Sequence, residues 1–96
     1  TFTDSSFSGT YRGLVDCIPY IKSLGVTAIE LLPVFDFDEN ETLYSNSKQR
    51  QSLLNYWGYS QLLFFAPKQN YSADVQDSVQ EFKSMVDEFH QAGLEI

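Results

Sequence analysis

The 96-residue chain has one cysteine, Cys17, and one histidine, His90. A lone thiol excludes an internal disulfide and a cysteine-based zinc site, and it is compatible with a reducing compartment. A lone histidine excludes a multi-histidine metal centre, and it supports no serine–histidine–aspartate arrangement without a fold to place the partners. Bases are scarce: 6 Lys and Arg stand against 13 Asp and Glu, for a formal charge of -7. Nucleic acid and anionic membrane surfaces both call for a basic footprint, so neither is an expected partner. The acids are scattered along the chain and read mainly as solubility. No apolar run approaches the roughly 20 residues of a membrane-spanning helix. No signal peptide is visible, and no glycine-rich phosphate motif or other cofactor signature is present. The first residue is Thr1 rather than methionine, so further sequence, with any targeting segment, is expected ahead of it.

What is present is apolar and aromatic. With 43% hydrophobic and 16% aromatic residues, the chain can build a core, as one small domain or a piece of a larger one. The opening residues read as loop. Leu14, Cys17, Ile18, Ile21 and Leu24 then share one helical face. Pro19 falls inside that pattern, which predicts a two-part helix restarting near it, with Gly25 as the stop. The run VTAIELLPVF, residues 26–35, is nearly continuous in hydrophobicity and reads as a strand over about 28–34, covered on both faces as in a parallel sheet. Residues 36–54 are polar with no clear period, a long loop of functional or disordered kind. Val79, Phe82, Met85, Val86 and Phe89 predict a second amphipathic helix, with cap candidates between Ser72 and Asp77 and a stop at Gly93. A further apolar run begins at Leu94. Helix, strand, loop, helix and strand start make an α/β chain with a βαβ crossover. One full strand and the start of another point to a segment of a larger α/β protein.

Few residues advertise chemistry. His90 is expected on a helix surface or packed against it. The acids Asp36, Asp38, Glu39 and Glu41 lack the glycine turn and oxygen spacing of a calcium loop and read as a solvated loop. Asp74, Asp77 and Glu81 suit the start of a helix. Glu30 interrupts an apolar strand and is expected to be paired or to mark a site. The segment NYWGYSQLLFFAP, residues 55–67, carries five aromatic side chains. Phe64 and Phe65 are expected in the core. Tyr56, Trp57 and Tyr59 flank Gly58, where the backbone can turn sharply. Tyrosine and tryptophan join a flat apolar face to a hydrogen-bonding tip, which complements a sugar ring, although core packing is the commoner use.

Three stretches taken in order, GTYRGLVDCIPYIKSLGVTAIELLPVFDFDE, NYWGYSQLLFFAP and EFKSMVDEFHQAGLEI, resemble the isoamylase and glycogen-debranching branch of the alpha-amylase superfamily. The resemblance covers nearly the whole chain, apart from the long loop and residues 68–79. It implies a (β/α)8 barrel with its active site on the βα loops. Residues 1–96 would be part of that catalytic domain, truncated at both ends, from about helix 1 to the start of strand 3. The long loop and the aromatic segment would form the second βα loop. Tyr59 matches the tyrosine that stacks on the sugar beside the cleaved bond. Trp57 and Asn55 belong to the same motif and are candidate substrate contacts. The catalytic carboxylates come from later strands of such barrels, so no catalytic residue and no metal ligand is assigned here.

The resemblance implies retaining hydrolysis of α-1,6 branch links in glycogen, amylopectin or limit dextrin, in the cytoplasm of a bacterium or the plastid of a plant or alga. Glycogen branching enzymes share ELLPV and WGY, so chain transfer is the nearest alternative. A non-catalytic, glucan-binding isoamylase-like subunit is another. Oligomeric state, branch-length preference and calcium dependence have no signature in these residues.

Overall fold

A computed structural model describes residues 6–41 and 54–96 in full and, between them, the backbone of 45–46 and 51–52. The expected first helix is indeed two helices, Tyr11–Val15 (α1) and Ile18–Ser23 (α2). Thr10 caps α1, its hydroxyl accepting the Gly13 amide proton at 3.1 Å. Pro19 lies in the first turn of α2, where a missing N–H costs nothing and the ring would only obstruct a continuous helix. Gly25 follows with positive φ.

The long helix Ser78–Gln91 (α3) carries the predicted face in part. Met85 and Phe89 are fully buried, and Phe82 and Val86 pack beside them, while Val79 stays exposed. Tyr11 and Leu94 complete the centre of the core. Leu14, Val15, Ile18 and Ile21 cover it from α1 and α2, and Ile29, Leu31 and Val34 from the following chain. Each large apolar side chain so buried contributes about 1.5–3 kcal/mol. Glu81, read from sequence as a helix-start charge, does more. Its carboxylate accepts backbone N–H bonds from Arg12, Ala73 and Asp74, tying α1 and the approach to α3 together.

The strand reading is corrected in its extent. Over residues 28–34 only a short parallel bridge forms, between Ala28 and Glu95. The Ile29 amide donates to the Glu95 carbonyl at 2.8 Å, and the Glu95 amide to the Thr27 carbonyl at 2.9 Å. This is the expected parallel pairing across the α3 crossover, reduced to its minimum. Longer pairing occurs where the sequence suggested loop. Phe35–Phe37 (β1) pairs antiparallel with Gln61–Pro67 (β4), with register irregularities on both sides of Asp36. Inside that hairpin Ser45–Asn46 (β2) pairs with Gln51–Ser52 (β3). The remainder of the expected 36–54 loop falls outside the described residues.

Two expectations of burial fail here. Phe64 and Phe65 are exposed, Phe65 completely, because among the described residues β4 pairs only with β1 and nothing covers these two rings. Phe64 keeps an edge contact with Phe35 at 6.1 Å between ring centres. Glu30 is also exposed and so needs no buried partner.

One hydroxyl joins these parts. Tyr11 Oη lies 3.2 Å from the Val34 carbonyl and 3.1 Å from the Lys68 carbonyl. The Lys68 amide also donates to the Val34 carbonyl, at 2.7 Å. The Tyr11 ring meets Phe82 and Tyr71 edge-on, an arrangement that suits aromatic quadrupoles. Burial, with Tyr71 and nearby acids adding to it, raises the Tyr11 hydroxyl well above the ordinary tyrosine range. The folded state therefore holds this proton at pH values where an unfolded tyrosine, with a pKa of about 10, has lost it. The resulting stability is complete below about pH 10 and declines as pH rises beyond it. Tyr11→Phe is expected to cost about 1–2 kcal/mol at neutral pH and to flatten the alkaline decline, both read from urea midpoints between about pH 8 and 11.

Candidate functional site

The parallel bridge at Ala28 leads, on its carboxyl side, into Leu31–Val34. That end is where parallel α/β sheets hold their ligands, because the loops there converge. A cavity of about 530 Å³ opens at this place. Leu31, Leu32 and Val34 line it from the strand exit, Tyr11 and Tyr71 from the core, and Asn55, Tyr56 and Trp57 from the aromatic turn.

The aromatic turn is built from its backbone outward. The Asn55 amide donates to the Glu39 carbonyl at 2.8 Å, anchoring the turn to the corner after β1. The Asn55 side-chain oxygen then accepts the Gly58 amide proton at 3.1 Å, closing the turn on itself. Gly58 has φ +72°, and a Cβ there would stand 2.7 Å from Cε1 of Phe37. Only glycine meets both demands, the left-handed backbone and the contact with the buried Phe37 ring. The turn thus packs its backbone inward and leaves its rings outside: Tyr56, Trp57 and Tyr59 are 79%, 60% and 66% exposed. Tyr56 and Trp57 stand perpendicular, 5.7 Å apart. Flat faces presented by a fixed backbone can stack on a ligand with little further ordering.

Beneath the turn lies Lys68, buried to 6% exposure. Its ammonium donates to the Phe37 carbonyl at 2.5 Å. It lies 3.4 Å from Glu39 Oε1 and 3.7 Å from Asp36 Oδ1, and 4.3 Å from the centre of the Phe37 ring. Glu39 Oε1 also accepts a hydrogen bond from Asn70 Nδ2 at 2.9 Å. The acidic loop is therefore divided. Asp36 and Glu39 serve the lysine, while Asp38 receives the Asn40 amide in a local turn and Glu41 is exposed. Sequence reading missed Lys68. Its signal was faint: one of few bases, directly after Pro67, whose acidic partners about 30 residues away meet it only through the β1–β4 register.

Of the three residues expected to touch substrate, Asn55 and Trp57 line the cavity and Tyr59 lies outside its lining. The hydrogen bonds of Asn55 are those of a residue that holds the turn. His90 is exposed on α3. Among the described residues, no group of three or more His, Cys, Asp or Glu side chains is placed to hold a metal ion.

A cleft on the carboxyl side of a parallel bridge, walled in part by aromatic rings, matches the place where α/β barrels hold their sites. The chain belongs to the alpha-amylase family: the family model described as the alpha amylase catalytic domain matches residues 1–96, and such a domain is a (β/α)8 barrel. The chain is 46% identical, over 97% of its length, to rice (Oryza sativa subsp. japonica) isoamylase 3, chloroplastic, of which it covers 12%. It is 45% identical over 96% of its length to the glycogen operon protein GlgX homolog of Haemophilus influenzae. It is 42% identical over 92% of its length to a glycogen debranching enzyme of Klebsiella pneumoniae. In both bacterial cases it covers 13% of the relative, so the chain spans about an eighth of the length of these proteins.

Gly58→Ala follows from the turn geometry. The left-handed backbone costs a side chain about 1–2 kcal/mol, and displacing the Phe37 ring adds about 1–3 kcal/mol of overpacking. A drop in the denaturation midpoint equivalent to about 2 kcal/mol or more is expected, measurable by guanidinium titration.

Proposed function

We propose that the protein to which these residues belong hydrolyses α-1,6 branch linkages of glycogen or starch-like glucans. The observation that carries the reading is the aromatic turn 55–59: three exposed rings on a pinned backbone beside the barrel-end cleft, in a chain whose relatives are named isoamylase and glycogen debranching enzyme. Glucose offers C–H groups on its faces and hydroxyls at its rim, which suits Tyr and Trp side chains. Residues 1–96 are part of a catalytic barrel domain, running from about its first helix to the start of its third strand. The Ala28–Glu95 bridge across α3 supports this placement. The open faces of β4, with Leu62 to Phe65 exposed, suit a segment covered by further parts of such a domain.

Tyr59 is the sugar-stacking residue in this reading. Trp57 forms the adjoining wall, and Asn55 contributes by holding the turn. The chemistry belongs to carboxylates elsewhere in the barrel. One forms a glycosyl-enzyme intermediate while the other, as an acid, protonates the leaving oxygen and later activates water, so the product retains its anomeric configuration. The substrates are glycogen, amylopectin or limit dextrin. Cellular placement in this reading is the plastid, as in the chloroplastic plant isoamylase, or the cytoplasm of a bacterium. No helix among the described residues is long and apolar enough to cross a membrane.

The test is hydrolysis of amylopectin by the full-length protein, read as released linear chains. Debranching is expected; chain transfer without net release of chains would replace this reading with a branching activity. The 96-residue segment alone is expected to show no turnover. Tyr59→Ala in the full-length protein is expected to lower kcat/KM about 5- to 150-fold, the scale of a lost stacking contact of about 1–3 kcal/mol, with a thermal midpoint close to the parent's. Unchanged kcat/KM with a large fall in midpoint would assign the ring to packing instead.

A further inference from the structure

We propose that Lys68 is a positioning residue for glucan binding: it clamps the corner on which the aromatic turn rests and so fixes where the Tyr59 ring is presented. The proposal builds on the reading of Tyr59 as the sugar-stacking residue. The Lys68 ammonium donates to the Phe37 carbonyl and stands within ion-pair distance of Glu39 Oε1 and Asp36 Oδ1. The charge is satisfied there, which a cation this deeply buried requires.

Two of these groups, Phe37 and Glu39, then lead toward the turn. Phe37 offers its ring to the backbone of Gly58, and Glu39 gives its carbonyl to the Asn55 amide. Asn55 in turn holds Gly58, one residue before Tyr59. Two short paths thus run from the ammonium to the turn, one through the Phe37 ring and one through the Glu39 backbone. Neither path passes through the central core of Met85, Phe89 and Leu94. Loss of the clamp therefore frees the turn more than it loosens the fold. An unpaired Asp36 and Glu39 beneath the turn would also repel each other and shift the corner.

A double-mutant cycle in the full-length protein decides the matter, with maltohexaose binding by calorimetry as the readout beside kcat/KM on amylopectin. Lys68→Met is expected to weaken maltohexaose binding about tenfold when Tyr59 is present, a loss typical of misplaced contacts. In a Tyr59→Ala background it is expected to change binding by no more than about twofold, the scatter of independent sites. Equal losses in both backgrounds, or a lowered thermal midpoint with binding unchanged, overturn the proposal. Should Lys68→Met fail to fold, Glu39→Gln, which removes one charge of the clamp and keeps its shape, enters the same cycle with the same criteria. A protein that binds maltohexaose with this coupling but does not debranch amylopectin refutes the hydrolytic reading and leaves the clamp standing. Absence of maltohexaose binding by the unmodified protein refutes both.

Discussion

The hydroxyl of Tyr11, held between the carbonyls of Val34 and Lys68, is the interaction on which the rest of the architecture turns. Val34 is where the chain enters the hairpin, and Lys68 is where the hairpin returns. A segment of more than thirty residues thus departs and comes back at one point, and its closure is secured by a buried phenol and one backbone hydrogen bond. The entropy of closing a loop of this length grows only slowly with its size, so a few well-made contacts at the neck suffice. The same tyrosine packs edge-on against Phe82 of α3, which ties the neck to the helical core.

From that neck outward, burial falls in steps. Tyr11 and Phe37 are enclosed, Tyr71 is partly covered between them, and the rings of Tyr56, Trp57 and Tyr59 are open. Dense packing at the base resists displacement, whereas the tip has few neighbours. The outer rings hold their place through their backbone, by way of Gly58, Asn55 and the corner at Glu39. The aromatic residues are therefore divided between two duties, with Tyr11, Phe37 and Phe89 enclosed and the rings around Gly58 open.

The helices were legible in the sequence because their signals are local. A proline within an apolar helical period, glycines at 25 and 93, and the spacing of Met85 and Phe89 depend only on neighbours a turn or two away. The turn at Gly58 was legible for the same reason. The hairpin was not. Its strands pair across a long polar insertion, their register is broken around Asp36, and the 35–37 partner is too short to show alternation. Phe64 and Phe65 misled because hydrophobicity states a preference for burial and says nothing about whether a second layer is present to supply it. Lys68 was illegible because nothing in its own neighbourhood reveals that Asp36 and Glu39 lie beside it; a charge pair across a sheet becomes visible only once the register is known.

The buried lysine also clarifies the charge of the chain. A net of -7 spread over a surface favours solubility, but two of the acids, Asp36 and Glu39, stand beside a buried cation. Their partial neutralisation leaves the approach to the rings less anionic than the sequence count suggests. A neutral ligand is indifferent to that field, and three exposed rings on a turn pinned through Asn55 and Gly58 offer flat apolar faces with polar edges. Electrostatics here acts on the corner beneath the turn, and the rings above it are left open.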